Sequence, residues 1–169
     1  MDTPLTPLAF ARRARRLYPD RDAVVDGPVR LTYAQFFDRC DRWSAALQAL
    51  GVKPGDRVVY IAPNVRSTLE SFYAVPEIGA VLVPVNYRLT PDDFAYIITH
   101  AGATVVCAAT EHLDAVDGIR DRIPHVAHFV SLEGPRTGWM DYEALLAAAP
   151  ARVVGHVTDE RDLLTINYT

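Results

Sequence analysis

Near the start of the chain, apolar residues recur at helical spacing. Leu8, Ala11, Ala14 and Leu17, with Phe10 beside them, predict a helix from Pro7 to Tyr18 that Pro19 closes. Two short runs, Ala23–Asp26 and Val29–Thr32, flank Gly27-Pro28 and read as paired strands around a tight turn. Thr32-Tyr33-Ala34-Gln35 has the spacing of a capping box, in which hydroxyl and carboxamide satisfy orphan helix amides. Such a cap contributes about 1 kcal/mol. Behind it, Phe36, Phe37, Cys40, Trp43, Ala46, Leu47 and Leu50 form one broad apolar face, and Gly51 supplies a left-handed stop.

Beyond Gly51 the pattern changes. Lys53-Pro54-Gly55-Asp56 is a turn, and Arg57–Ala62 is a strand apolar on both faces, as in the middle of a parallel sheet covered by helices. Ser67–Ile78 is helical, with Pro76 expected to kink or shorten it. Val81–Val85 and Thr104–Ala108 are further buried strands. Between them Thr90-Pro91-Asp92-Asp93 starts a helix that carries Phe94, Ile97 and Ile98 and ends near Ala101-Gly102. A helix is predicted through Leu113, Val116, Ile119 and Ile123, then a strand at His128–Ser131, a loop over Gly134–Gly138 and a short helix at Tyr142–Ala149. The closing strand, Leu163–Tyr168, can join the same sheet. Strand and helix alternating at this pace predict an α/β fold: an open, mainly parallel sheet with helices on both faces, preceded by a helix and a hairpin.

Composition narrows the functional classes. The 169 residues are half hydrophobic, which suits one folded unit, and the formal charge of −4 disfavours a nucleic-acid partner. No apolar run approaches the ~18 residues of a membrane span and no signal peptide is recognisable, so a cytoplasmic protein without a membrane span is expected. Cys40 and Cys107 lie in apolar patterns and are expected to be reduced and buried. Arg12, Arg13, Arg15 and Arg16 are expected to form a solvated helix face. All basic residues but Lys53 are arginine, and Lys53 is accounted for by its turn.

Intrinsic signs of catalysis are few. Ligands of open parallel sheets bind beyond the carboxyl ends of the strands. The loops expected there are Pro63-Asn64-Val65-Arg66, Asn86-Tyr87-Arg88-Leu89 and whatever follows Thr169, and neither of the first two is glycine-rich. The nine glycines contain no Gly-x-Gly pair and no Walker-type loop, which demotes a dinucleotide-binding dehydrogenase. His100, His112, His125, His128 and His156 are scattered, and His125 and His128 straddle a helix–strand junction, so no metal site is expected. Ser44, Ser67, Ser71 and Ser131 lack a nucleophile elbow. Asp92 and Asp93 are explained by a helix start, and no catalytic residue is assigned.

Four stretches in order resemble the acyl-CoA synthetase branch of the adenylate-forming, AMP-binding superfamily. They are Leu31-Thr32-Tyr33-Ala34-Gln35-Phe36, then Gly51-Val52-Lys53-Pro54-Gly55-Asp56-Arg57-Val58, then Ala62-Pro63-Asn64, and finally Gly79 to Thr90, which contains Pro84-Val85-Asn86-Tyr87-Arg88-Leu89. Leu163-Leu164-Thr165-Ile166-Asn167-Tyr168-Thr169 is similar to the strand that leads into the family's Ser-Gly-Thr-Thr-Gly-like phosphate loop. The resemblance implies that residues 1–169 are the N-terminal portion of an adenylation domain. It also implies that Thr169 is the first phosphate-loop residue.

The same resemblance implies a parent enzyme that activates a fatty or aromatic carboxylic acid with ATP and magnesium and transfers it to coenzyme A. These residues alone are expected to be inactive and to hold none of those cofactors. The alternatives are a stand-alone, non-catalytic binding domain of ligase ancestry and a flavodoxin-like nucleotide-binding module. An exposed apolar face, through which copies form a homodimer or self-associate, is expected of such a portion.

Overall fold

Strands apolar on both faces are satisfied only between two helical layers, and that is how the central strands are disposed. The structure is a computed structural model describing residues 5–150, 153, 155–156 and 159–169. Helix α1 (Pro7–Leu17) precedes a hairpin of β1 (Asp22–Asp26) and β2 (Val29–Thr32), and α2 (Tyr33–Ala49) leads into the main sheet. There follow β3 (Arg57–Ile61), α3 (Arg66–Glu77), β4 (Val81–Val85), α4 (Pro91–Ala101), β5 (Ala103–Ala108) and α5 (Leu113–Asp117). The chain continues through β6 (His128–Ser131), β7 (Met140–Asp141) and α6 (Tyr142–Ala148).

The main sheet is parallel, in the order β4-β3-β5-β6-β7. The chain steps from β3 through α3 to β4 on one face, then reverses and returns through α4 to β5 on the other. A change of direction with a change of face is what right-handed crossovers require. One face packs under α2, α3 and α6 with Trp43, Leu47, Val75 and Tyr142 buried. The other packs under α4 and α5 with Phe94, Ile98, Val116 and Ile123 buried. The α/β fold with helices on both faces is therefore as the hydrophobic pattern predicts.

The expected caps form. Thr32 Oγ1 accepts from the Gln35 amide at 3.3 Å while Gln35 Oε1 accepts from the Thr32 amide at 2.9 Å. Thr90 and Asp93 build a second capping box on α4.

One local expectation is overturned and three take a definite form. The helix expected through Ile123 is broken: α5 stops at Asp117, with 3₁₀ turns at Thr110–His112 and Arg120–Arg122. Leu113, Val116 and Ile119 are three apart, a spacing a 3₁₀ path also satisfies, and Gly118 and Pro124 weaken a continuous helix. Pro76 acts as a stop, one residue before the end of α3. Of the four arginines on α1, only Arg13 and Arg16 remain solvated without partners among the described residues. Arg12 pairs with Glu77 at 3.0 Å and Arg15 with Asp41 at 2.5 Å, tying α1 to α3 and α2. The closing strand contributes a single parallel bridge, Thr165 beside Leu82.

Exposed large apolar residues are spread over several elements: Phe10 on α1, Val25 on the hairpin, Leu69 and Phe72 on α3, Tyr96 on α4 and Leu163 near the end. Among the described residues no helix is long and apolar enough to cross a membrane.

Candidate functional site

The carboxyl edge of the sheet is where a parallel fold presents backbone and loop groups to a ligand. At this edge β3 is followed by a helix on one face, whereas both its neighbours, β4 and β5, are followed by helices on the other. The connections after β3 and after its neighbours therefore leave toward opposite faces of the sheet.

After β3 the loop Pro63–Arg66 is held tightly. Val65 N–H donates to Pro63 O at 2.9 Å, and Thr68 Oγ1 donates to the same carbonyl at 2.9 Å. Val65 offers no side chain to cap α3, and Asp26 at the end of β1 supplies the acceptor instead, taking the Arg66 amide at 3.1 Å. After β4, Asn86 Oδ1 accepts from the Arg88 amide at 3.1 Å, an Asx turn that fixes Asn86-Tyr87-Arg88. Beyond β5, the Thr110 amide donates to Glu133 at 3.0 Å. The ring of His112 lies 5.7 Å from that of Tyr87 and 6.3 Å from that of Phe94, so the loops after β4 and β5 meet across β3. Glu111 lies 3.1 Å from His112 Nε2. This Tyr87–His112 contact was hidden among scattered histidines, and the apolar run of α4 was its only trace.

The terminal segment lies outside β4. Leu82 N–H donates to Leu164 O, and Ile166 N–H donates back to Leu82 O, both at 2.9 Å. Ile166 and Tyr168 pack toward the core under α4, so the alternating Thr165, Asn167 and Thr169 share the opposite side of the extended chain. Tyr168 Oη and His100 Nδ1 are hydrogen-bonded at 2.8 Å. Burial and the neighbouring Tyr96 push the Tyr168 hydroxyl's pKa up. Thr169 is exposed.

Other sequence candidates fall elsewhere. Lys53 sits at the opposite, amino end of β3, its amide donating to Asp56 at 2.8 Å within the turn. Asp93 is occupied by Thr90, whose hydroxyl and amide donate to it and hold its carboxyl below the ordinary range. His125 and His128 face different carbonyls, those of Ile98 and Leu50. Ser44 donates to the Ala74 carbonyl at 2.9 Å and Ser71 to that of Thr68 at 2.6 Å. Cys40 and Cys107 are free and buried, and burial pushes both thiols' pKa values up.

Arg66, at the end of the loop after β3, also belongs to a charged cluster between α2, α3 and α6. Glu70 is fully buried and accepts from Arg39 Nε at 2.5 Å and from the Tyr142 hydroxyl at 2.6 Å. Arg39 also pairs with Glu143 at 2.7 Å, and Arg66 with Glu143 at 3.0 Å. Burial opposes the Arg39 charge, but Glu143 and Glu70 overcome it and raise its pKa above the ordinary value. The Arg39 hydrogen bonds pull the Glu143 carboxyl below its usual range against a smaller burial effect. Every carboxylate in the cluster is paired to a cation, and the group ties α2, α3 and α6 together.

A sequence model of the family described as "AMP-binding enzyme" matches residues 10–169. Among curated proteins, the chain is 42% identical to a probable acyl-activating enzyme, peroxisomal, of Arabidopsis thaliana, over 99% of this chain and 32% of that protein. It is 39% identical to a long-chain-fatty-acid–CoA ligase of Thermus thermophilus, over 90% of this chain and 30% of that one. A solved structure of a putative long-chain-fatty-acid CoA ligase from Rhodopseudomonas palustris superposes with a TM-score of 0.89 at 30% identity, covering 96% of this chain and 41% of that one. The structure of an anthranilate CoA ligase in complex with anthranoyl-AMP matches the whole chain with a TM-score of 0.92 at 21% identity, covering 32% of that chain, a likeness of fold. The chain spans about a third of the length of the curated relatives it matches.

Proposed function

The chain belongs to the AMP-binding enzyme family, and on that premise we propose that it serves as part of an ATP-dependent acid–thiol ligase. A carboxylate is a poor electrophile, because its charge repels nucleophiles and oxide is a poor leaving group. ATP would convert the acid to an acyl adenylate with loss of pyrophosphate, and the thiol of coenzyme A would then displace AMP. Fatty or aromatic acids are the proposed substrates, in line with relatives named for long-chain fatty acid and benzoate.

The observation that carries this reading is the position of Thr169. The terminal segment brings it to the carboxyl edge beside β4, where its hydroxyl would meet a phosphate oxygen. Tyr168 is turned the other way and anchors the segment on α4. One hydroxyl without successive amides turned toward an anion makes no phosphate cradle. For magnesium the fit is poorer: no group of three or more His, Cys, Asp or Glu among the described residues could hold a metal ion. Nucleotide and metal would therefore draw on residues beyond those described, and the chain alone is proposed to be inactive. Cytoplasmic location belongs to the same reading, supported by two unpaired, buried thiols.

The test is acid-dependent ATP–pyrophosphate exchange by the complete protein, with short, long and aromatic acids. Exchange with at least one acid is expected. Calorimetry on the 169-residue chain is expected to find ATP affinity no tighter than millimolar. Micromolar binding by the chain alone would point instead to a stand-alone nucleotide-binding module.

A further inference from the structure

The closing segment is held to the sheet by very little backbone. Leu82 exchanges both of its outward hydrogen bonds with Leu164 and Ile166. The next outward-facing position on β4, two residues on, is Pro84, which has no N–H to give. Pro84 removes one rung of the ladder, and no backbone hydrogen bond from residues 167–169 is found among the described residues.

A side chain takes over where the backbone stops. Tyr168 reaches back to α4, its hydroxyl 2.8 Å from His100 Nδ1 and its ring edge-on to the imidazole at 5.7 Å. The imidazole is itself held on its other side, stacked on Tyr96 one turn earlier at 5.5 Å and 20°. The end of α4 that carries it is fixed to the central strand. Arg57 at the start of β3 donates to the carbonyls of Ala101 at 2.5 Å and Gly102 at 2.6 Å. The arrangement is thus a chain of contacts from β3 through α4 to the residue immediately before Thr169.

We infer that His100 is a positioning residue: by holding Tyr168 it sets the orientation of the chain at Thr169, and so the placement of the residues that contact the nucleotide. The inference rests on the ligase reading above for the identity of that nucleotide. His100 touches no reacting group and acts only through Tyr168. Because Tyr168 and Thr169 project to opposite sides, a rotation of the tyrosine about the strand would carry the threonine hydroxyl away from the edge.

The test uses the complete enzyme and three variants. His100→Ala and Tyr168→Phe each remove the hydrogen bond, and the second keeps the ring contact. His100→Asn retains a polar group near the place of Nδ1. Each of the first two is expected to raise the KM for ATP by about threefold to tenfold, the worth of one hydrogen bond. The KM for the acid and the melting temperature should stay near wild type. His100→Asn should restore most of the ATP affinity, and the double variant His100→Ala/Tyr168→Phe should be no worse than the poorer single one. An unchanged KM for ATP in both single variants, or effects that add in the double, overturns the inference and leaves the ligase reading standing. A wild-type enzyme that catalyses no acid-dependent exchange overturns both.

Discussion

Under α4 and α5 the sheet meets Phe94, Ile97, Ile98, Leu113, Val116 and Ile123, a layer of carbon whose worth is set by volume and fit. Under α2, α3 and α6 the same sheet is covered by a comparable apolar layer, but above it Glu70, Arg39, Glu143, Arg66 and the Tyr142 hydroxyl are locked together. Both faces are closed to water, yet they specify different things. A carbon layer tolerates rearrangement as long as total volume is kept. A buried carboxylate with an arginine and a phenol on it tolerates one arrangement, because any shift strands a charge. The contrast predicts that the ionic face fixes how three helices sit, while the apolar face mainly supplies stability.

The largest expected effect is on the carbon side. Phe94→Ala should lower unfolding free energy by about 3–5 kcal/mol in urea titration. On the other face Glu70→Ala should cost about 3 kcal/mol, at the lower end because Arg39 keeps Glu143 and some solvent. The sharper test is the pair Glu70→Leu/Arg39→Leu. If the ions fix geometry more than they stabilise, the double variant should recover most of the loss while near-ultraviolet circular dichroism of Trp43 and Tyr142 changes. A silent Glu70→Ala would collapse the contrast between the faces. The smallest effect comes from pH. The Glu143 carboxyl is depressed in the fold, so its contribution is complete above the ordinary glutamate range. It is lost as pH falls through the lower, folded value. Glu143 is half-exposed, so Glu143→Gln should flatten the acid limb of the stability curve by less than about 1 kcal/mol.

The carbon face and the buried parallel strands beneath it were legible because they are written as repeated patterns. Continuous apolar runs at β3, β4 and β5 identify buried parallel strands, and Thr32-Gln35 and Thr90-Pro91 mark helix starts within the sequence itself. The ionic face was not legible. Glu70 reads as an ordinary helical polar residue, and its partners Arg39 and Tyr142 are 31 and 72 positions away. One signal was present: Ser67, Glu70, Ser71 and Ala74 share one stripe of α3, and that stripe is buried, so a carboxylate in it had to find partners. The candidate site divides in the same way. Thr169 was reached through a resemblance carried by local motifs, whereas Tyr168 with His100, and Asp26 capping α3, join residues 68 and 40 positions apart. Sequence periodicity reports which face is buried; it carries no record of which distant polar groups meet there.

Arg57 binds the ends of two elements at once. Its guanidinium closes over the carbonyls of Ala101 and Gly102 and reaches back to Gly55, and a methyl group on Gly102 would stand 2.5 Å from it. A positive group on the last carbonyls of α4 is favoured by the helix dipole, and here it also belongs to the first residue of β3, a strand paired on both sides. The helix cannot fray from that end without pulling on the middle of the sheet. Hydrogen exchange in the last turn of α4 should accordingly keep pace with that of β3, an unusual constancy for a helix terminus.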